Sequence, residues 1–153
     1  MLARAYGVTL LGLEAQLVEV EVDVGPGLPG FALVGLPDTS VQEARERVRA
    51  ALRNSGFDFP ARRITVNLAP ADLRKEGPGL DLAMAVALLA ATEQVPASTL
   101  AEYLLVGELS LEGNLRPVAG VLVVAGTVKE QGWGRTLIVP RAHAAEGALV
   151  GEE

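Results

Sequence analysis

The chain opens with two stretches in which apolar and polar residues alternate. The alternation is clearest in "LVEVEVDV" at 17–24, where every second side chain is hydrophobic and most of the others are acidic. A period of two predicts a strand with one buried face and one solvated, acidic face. We therefore predict an antiparallel pair of strands at residues 3–10 and 14–24. The glycines and prolines of "GPGLPG" then mark a turn, and "FALVGLP" predicts a third short strand that ends at Pro37.

The pattern changes to that of a helix in "DTSVQEARERVRAALRNSG". Ser40 and Glu43 have the S-x-x-E spacing of a capping box, and Gly56 stands where the helix should end. The apolar residues of this segment recur at helical spacing and so form one buried face. Four arginines lie off that face: Arg45, Arg47, Arg49 and Arg53.

A second helix is predicted to be apolar on every side. "RRITVNLAP" at 62–70 predicts a buried strand, and "KEGPGLDLAMAVALLAA" leads into a helix from about Leu80 to Gln94. Because this helix has no polar face, it should be the central buried element of the fold. Asp81 lies in its first turn, where we expect the carboxylate to cap the helix.

The last third of the chain adds shorter elements. "YLLVGELSLEGNLRPV" predicts two strands around a Glu-Gly-Asn turn, and "AGVLVVAGTVKEQG" predicts a helix closed by Gly132. "RTLIVP" at 135–140 predicts a strand, and "RAHAAEGAL" a short helix or tail. Strands and helices are mixed without strict alternation, so the predicted fold class is α+β, a mixed β-sheet with helices packed on one face. We expect a single domain over residues 1–153.

Composition excludes several classes of protein. Half of the 153 residues are hydrophobic and 21% are charged, which is typical of a folded chain. No apolar run approaches the roughly 18 residues of a membrane span, and the N-terminus lacks the pattern of a signal peptide. The absence of cysteine excludes disulfides, thiolate metal sites and cysteine nucleophiles. We expect a cytoplasmic protein without membrane contact, and the excess of arginine over lysine favours heat tolerance.

Charge is unevenly distributed along the chain. The formal net charge is −6, yet residues 45–75 carry eight Arg or Lys side chains against three acids. A basic segment in an acidic chain predicts either a surface that faces phosphate groups or the solvated side of a helix and a strand. The same arginines could also pair with the acidic strand face of a neighbouring copy. The sequence leaves these interpretations open.

The glycine-rich turn before the central helix lacks the groups of a phosphate loop. The motif G-x-x-x-x-G-K-[ST] ends in a lysine and a hydroxyl, and neither follows Gly77 or Gly79. We interpret the turn as structural. His143 is the only histidine; without a second histidine or a cysteine it is not expected to bind zinc, so we place it on the surface and predict no metal site.

Six segments together carry a family resemblance: "VGLPD" at 34–38, "EARERVRAAL-NSGF-FP" across 43–60, "RRITVNLAPADL-KEG" across 62–77, "DLAMA" at 81–85, "VGELSLEGNLRPVAGVL" at 106–122 and "LIVP" at 137–140. In these segments the chain closely resembles the N-terminal domain of ComM/YifB-type proteins, which are bacterial AAA+ ATPases linked to competence and also labelled magnesium-chelatase-like. The resemblance implies that an AAA+ module with the phosphate loop follows and binds ATP and magnesium. This chain by itself is expected to hold no cofactor.

The domain is in turn similar to the proteolytic domain of Lon proteases, which shares the fold of the GHMP small-molecule kinases. The resemblance aligns the catalytic serine of Lon with Gly79 and its catalytic lysine with Leu122, which follows "PVAGV". Glycine cannot attack a carbonyl and leucine cannot accept a proton, so no catalytic residue is predicted. A residual Lon-type serine peptidase or a small-molecule kinase is the alternative.

The resemblance implies a non-catalytic accessory domain of a hexameric ATPase that acts in DNA branch migration and recombination during natural transformation. The expected partners are the protein's own AAA+ module, neighbouring subunits of the hexamer and single-stranded or branched DNA. Guanidinium groups clustered in one region neutralise phosphates without reading base sequence. The candidate residues for contact with DNA or another subunit are Arg45, Arg49, Arg53, Arg62, Arg63, Arg74 and Lys75.

Overall fold

The computed structural model describes residues 1–145. Its elements are β1 (Leu2–Leu11), β2 (Glu14–Gly25), β3 (Gly30–Val34), α1 (Thr39–Gln42), α2 (Ala44–Asn54), β4 (Arg63–Ala69), α3 (Asp81–Ala91), β5 (Tyr103–Leu105), β6 (Glu108–Leu109), β7 (Leu115–Arg116), α4 (Val121–Gln131) and β8 (Thr136–Ile138). Short 3₁₀ turns occur at Pro78–Leu80, Leu100–Glu102 and Arg141–His143. The last of these turns begins the predicted helix or tail "RAHAAEGAL", whose residues 146–149 lie outside the described part. None of the described helices combines the length and the apolar character needed to cross a membrane.

A four-stranded sheet forms the centre of the fold, in the order β1-β2-β4-β3. β1 and β2 are antiparallel, as predicted; β2 also runs antiparallel to β4, whereas β3 is parallel to β4. Two short pairs lie beside this sheet: β5 with β8 in parallel, and β6 with β7 in antiparallel around the predicted Glu-Gly-Asn turn. The mixed sheet confirms the predicted α+β class.

Alternation along the strands gives the sheet one continuous apolar face. On β2, Val20 and Val22 are fully buried, whereas Glu21 between them keeps access to solvent. The register places Val20 opposite Ala5 of β1 and Leu68 of β4, which are also fully buried. A shift of one residue would turn this whole apolar set toward water, so burial fixes the register.

α3 is the central buried helix, as its lack of a polar face predicted. Nine of its eleven residues are buried, and it packs against β1 and β2. α2 lies beside it and adds four buried residues to the same core: Ala44, Val48, Ala51 and Leu52. α3 ends at Ala91, three residues before the predicted end at Gln94. The predicted packing of helices on one face therefore holds for these two helices.

A second apolar cluster uses the side chains of β1 and β2 that alternate with those facing α3. Val8 and Ala15 lie here with Leu104 of β5 and Val124 of α4. α4 ends at Gln131 and is closed by Gly132, which has a left-handed backbone with φ of 62°, as the sequence predicted. The second cluster thus attaches the last third of the chain to the sheet.

The predicted capping box at Ser40 and Glu43 is wrong. The Asp38 carboxylate caps the helix two residues earlier, by accepting a hydrogen bond from the Val41 amide at 2.8 Å. Glu43 instead separates the single turn of α1 from α2. The other oxygen of Asp38 accepts a bond from the Gly77 amide at 3.2 Å. This contact with Gly77 helps to fix Asp38 as the cap. Because the two residues are 39 positions apart, the local spacing of Ser40 and Glu43 could not predict it.

Gly35 links β3 to the loop before α1 at a position that only glycine fits. Its φ is +112°, and a methyl group there would overlap the carbonyl oxygen of Leu68 on β4. We expect Gly35→Ala to lower the free energy of unfolding by at least about 2 kcal/mol, because both the backbone and the close contact would be strained. Urea unfolding followed by circular dichroism measures this loss.

The matched control is Gly126→Ala in α4, where a methyl group would meet no atom within 4 Å. Alanine is favoured over glycine in a helix by roughly 1 kcal/mol, so this change should preserve or raise stability. If Gly35→Ala proved as stable as the wild type, the described approach of Gly35 to Leu68 would be incorrect.

Candidate functional site

A buried ion pair joins α2 to the start of α3. Arg47 Nε donates to Asp81 Oδ2 at 2.6 Å, and Arg47 Nη2 donates to Asp81 Oδ1 at 2.9 Å. Arg47 Nη2 also donates to the Ser40 carbonyl at 2.7 Å, and the Leu109 amide of β6 donates to Asp81 Oδ2 at 3.0 Å. The Asp81 side chain is only 1% exposed and that of Arg47 only 16%. One carboxylate therefore connects α2, α3 and β6.

The prediction that Asp81 caps α3 is wrong. Its carboxylate is used by Arg47 and by the Leu109 amide, because a buried carboxylate needs a charged partner. Burial raises the pKa of Asp81, while the bonds from Arg47 and Leu109 act in the opposite direction. The hydrogen bond to Asp81 in turn raises the pKa of Arg47. Sequence reasoning noted Arg47 as lying off the apolar face but did not identify its partner.

Four of the predicted contact residues gather around one groove. Arg45, Arg49 and Arg53 recur every four residues, so they form a row on the exposed side of α2. Arg62, which precedes β4, completes the basic lining, and the groove has a volume of about 220 Å³. We call this site the arginine groove. Its other lining residues are Pro29, Gly30, Phe31, Glu46, Phe59, Pro60, Ala61 and Ile64.

Two phenylalanines line the arginine groove. The rings of Phe31 and Phe59 are nearly parallel, with an interplanar angle of 12° and centroids 6.4 Å apart. The guanidinium carbons of Arg49 and Arg53 lie 5.9 and 5.6 Å from the centroid of Phe59, which is a cation–π distance. Sequence reasoning missed both rings. The available signal was "FDFPARR", in which aromatic residues stand close to an arginine pair.

The groove arginines lack ion-pair partners in the part of the chain that the structure describes. Among residues 1–145, none of the four groove arginines forms an ion pair with a carboxylate. The acidic face of β2 differs, because Arg4 Nε lies 3.1 Å from Glu19 and 2.9 Å from Glu21. Hydrogen bonds from Asn67 and Arg4 lower the pKa of Glu21. The acids that a neighbouring copy would offer are therefore partly neutralised by their own chain.

Two of the other predicted contact residues are accessible but lie outside the groove. Arg63 begins β4, and alternation along the strand turns it to the face opposite its neighbour Ile64. There its guanidinium group covers Gly30 of β3. Arg74 forms an ion pair with Glu76 at 3.4 Å.

The prediction of Lys75 as a surface contact is wrong. Its side chain is fully buried, and Nζ donates a hydrogen bond to the Pro70 carbonyl. Burial lowers the pKa of Lys75. Its backbone amide donates to the Leu36 carbonyl at 3.0 Å, and its carbonyl accepts from the Asp38 amide at 2.9 Å. Lys75 thus holds the loop before α3 in place.

A second cleft lies at the start of α3 and has a volume of about 340 Å³. It is bordered by the turn at 77–79 and by residues 118–119, and we call it the α3 cleft. Thr9 and Asp38 also line it, but both serve the fold: the Thr9 hydroxyl accepts from the Glu76 amide at 2.9 Å, and Asp38 caps α1. These polar groups hold the turn in place.

The positions that the Lon resemblance assigns to the dyad bring no reactive group to the α3 cleft. Gly79 lines it, and a side-chain carbon built there would meet no atom within 4 Å. Leu122, the second residue of α4, is 45% exposed. Over residues 1–145, neither lysine forms a hydrogen bond with a serine; the buried Ser110 hydroxyl accepts from the Asn114 amide instead.

His143 is less accessible than the predicted surface position implied. It is half-buried, and its Nε2 accepts a hydrogen bond from the Val118 amide at 2.9 Å. This bond ties the last described turn to a residue of the α3 cleft. Within the described chain, no three His, Asp or Glu side chains come together in a way that could hold a metal ion.

Comparison with known proteins places the chain among bacterial relatives. The profile of the family described as "Subunit ChlI of Mg-chelatase" matches residues 20–143. Protein YifB of Salmonella typhimurium is 51% identical over 152 residues, and competence protein ComM of Haemophilus influenzae is 47% identical over 152 residues. Each alignment covers 99% of this chain but only 30% of the relative. A Lon protease of Trichlorobacter lovleyi is 25% identical over 122 residues, which cover 75% of this chain and 15% of the protease.

The buried ion pair predicts an asymmetry between single and double replacements. Arg47→Met leaves Asp81 buried without its charged partner, so we expect a loss of about 3–5 kcal/mol in the free energy of unfolding. The double variant Arg47→Met with Asp81→Asn removes both charges and keeps an acceptor for the Leu109 amide. Its loss should be no more than about 2 kcal/mol, measured by urea unfolding at neutral pH.

The pH dependence provides the control for this pair. Burial raises the folded-state pKa of Asp81, so the protonated form is favoured in Arg47→Met at low pH. The stability of that variant should therefore fall as the pH rises through the raised pKa, and the double variant should lack this step. Equal losses in the single and double variants at neutral pH would contradict a buried, coupled pair.

Proposed function

The chain belongs to the family described as subunit ChlI of Mg-chelatase, and we propose that it is the non-catalytic N-terminal domain of a ComM/YifB-type AAA+ ATPase. In this proposal the remainder of the parent protein supplies the AAA+ module, its phosphate loop and the sites for ATP and magnesium. We propose that the parent acts in DNA branch migration during recombination; the name of the competence relative supports a link to competence. The family description mentions Mg-chelatase, but the proposal does not include insertion of magnesium into a porphyrin.

The observation that carries the non-catalytic role is the set of residues that line the α3 cleft. Covalent catalysis requires a nucleophile and a base within hydrogen-bonding reach of each other. Gly79 lines the cleft at the position that the resemblance assigns to the Lon serine, and Leu122 stands at the position assigned to the Lon lysine. Because Gly79 has room for a side chain, steric crowding does not explain the missing serine. A residual peptidase is therefore the less supported alternative.

We assign contact with DNA to the arginine groove. Arg45, Arg49 and Arg53 stand at i, i+4 spacing, where like charges destabilise a helix by about 0.2–0.5 kcal/mol per pair. Because residues 1–145 supply no carboxylate partner to these arginines, this arrangement carries an electrostatic cost. A polyanion placed along the row would remove that repulsion and release counterions. Contact between subunits through the acidic face of β2 is less supported, because Glu19 and Glu21 already form ion pairs with Arg4 of the same chain.

The first test concerns catalysis by this chain. We expect the purified protein to leave casein intact and to consume no ATP in the presence of magnesium, because its described residues contain no hydrogen-bonded nucleophile–base pair. Gel analysis of casein and an assay for released phosphate provide the readouts, with an active Lon protease as the positive control. Cleavage or phosphate release that stays with the chain through two further purification steps would refute the non-catalytic role.

The second test concerns the arginine groove. We expect Arg45→Gln, Arg49→Gln and Arg53→Gln combined to weaken binding of a labelled single-stranded oligonucleotide at about 50 mM salt. Three lost phosphate contacts should also reduce the slope of log K against log salt by roughly 2. Fluorescence anisotropy between about 50 and 200 mM salt measures both quantities.

The matched control combines Arg74→Gln, Arg116→Gln and Arg141→Gln, which changes the net charge equally but at exposed positions outside the groove. We expect its salt slope to stay close to that of the wild type. Because the sequence also suggested Arg74 as a contact, this control tests that residue too. Equal weakening by both triple variants would show that net charge, and not the groove, determines binding.

A further inference from the structure

We infer that the arginine groove holds an unpaired base of a single-stranded nucleic acid, stacked on Phe59, while the arginine row holds the neighbouring phosphates. This inference rests on the proposed contact of the groove with DNA. It adds the form of the nucleic acid: a strand with exposed bases binds in preference to a closed duplex, whose base faces are covered by their stacked neighbours.

The aromatic content of the groove is the first observation. The chain has three phenylalanines, and two of them line this one groove. Phosphate contact alone needs no aromatic side chain, whereas proteins that bind single strands combine a basic surface with rings on which bases stack. Phe59 is only half-buried, and guanidinium planes, which also stack on bases, lie within 6 Å of its ring.

The size of the groove is the second observation. Its volume of about 220 Å³ is below the roughly 300 Å³ at which pockets for drug-sized ligands begin. A single flat ring is therefore a better match than a whole nucleotide cofactor. The lining also offers few groups that would distinguish one base from another, apart from the arginines and Glu46. Stacking in such a site tolerates any base.

The arginine row supplies the third observation. From Arg45 to Arg53 it extends about 12 Å along α2, given the rise of 1.5 Å per residue of a helix. Successive phosphates advance by about 3.4 Å along the axis in one strand of B-DNA and are spaced more widely in an extended single strand, so the row can contact about two phosphates of such a strand. An acidic protein segment would satisfy the arginines but would add no flat ring to the Phe31–Phe59 pair of the groove.

The test uses Phe59→Leu, which keeps an apolar side chain of similar size but removes the ring. The probes are a labelled dT oligonucleotide, an oligomer of the same length made of abasic deoxyribose phosphates, and a closed hairpin duplex. We expect the wild type to bind the dT strand about tenfold more tightly than the abasic strand, in line with stacking of one base on an aromatic side chain. Phe59→Leu should lose this preference and keep the salt slope.

Phe57→Leu is the matched control, because Phe57 is 37% exposed, close in sequence and absent from the groove lining. It should retain the tenfold preference. Equal affinity of the wild type for the dT and abasic strands would overturn the base-stacking inference while leaving the proposed phosphate contact standing, and so would a preference for the duplex. If no probe binds and the arginine triple variant instead abolishes self-association of the chain, the groove is a subunit contact and both proposals are wrong.

Discussion

The bidentate bond between Arg47 and Asp81 is the interaction on which the arrangement of the other elements depends. The carboxylate also accepts the Leu109 amide, and the guanidinium reaches the Ser40 carbonyl, so four segments meet at one buried charge pair. A buried charge without its partner costs several kcal/mol. A placement of α2 in which Arg47 could not reach Asp81 would leave a buried charge unpaired and is therefore strongly disfavoured. The pair acts mainly by fixing orientation, since its net contribution is reduced by desolvation of both charges.

The orientation of Arg47 determines what α2 presents to solvent. Residues two positions before and after it lie about 200° away around a helix, so Arg45 and Arg49 face outward when Arg47 faces the core. The parallel pairing of β3 with β4 then places Phe31 next to Ile64, within reach of Phe59 and the arginine row. A charge pair in the interior thus sets the geometry of a basic, aromatic groove at the surface.

The same charge pair lies close in sequence to the α3 cleft, since Asp81 comes two residues after the turn at 77–79 that borders it. The turn is held by Asp38, and the adjoining loop by Thr9 and Lys75. None of these contacts depends on a serine or a lysine in a dyad. A scaffold of the Lon type can therefore keep its shape when Gly79 and Leu122 stand at the dyad positions, and its surfaces remain available for binding.

The sequence by itself determined the elements whose pattern is local: the alternation on β2, the apolar face of α2 and the unbroken apolar character of α3 each specify one element and its buried side. Only the tertiary structure decided which polar side chains meet. The basic run from Arg45 to Lys75 divides into four groove arginines, Arg47 in the core, Arg63 on the other face of the sheet, Arg74 beside Glu76, and the buried Lys75. Periodicity acts over a few residues of one element, whereas Arg47 and Asp81 are 34 positions apart. Their contact exists only because burial of the apolar faces brings α2 and α3 together.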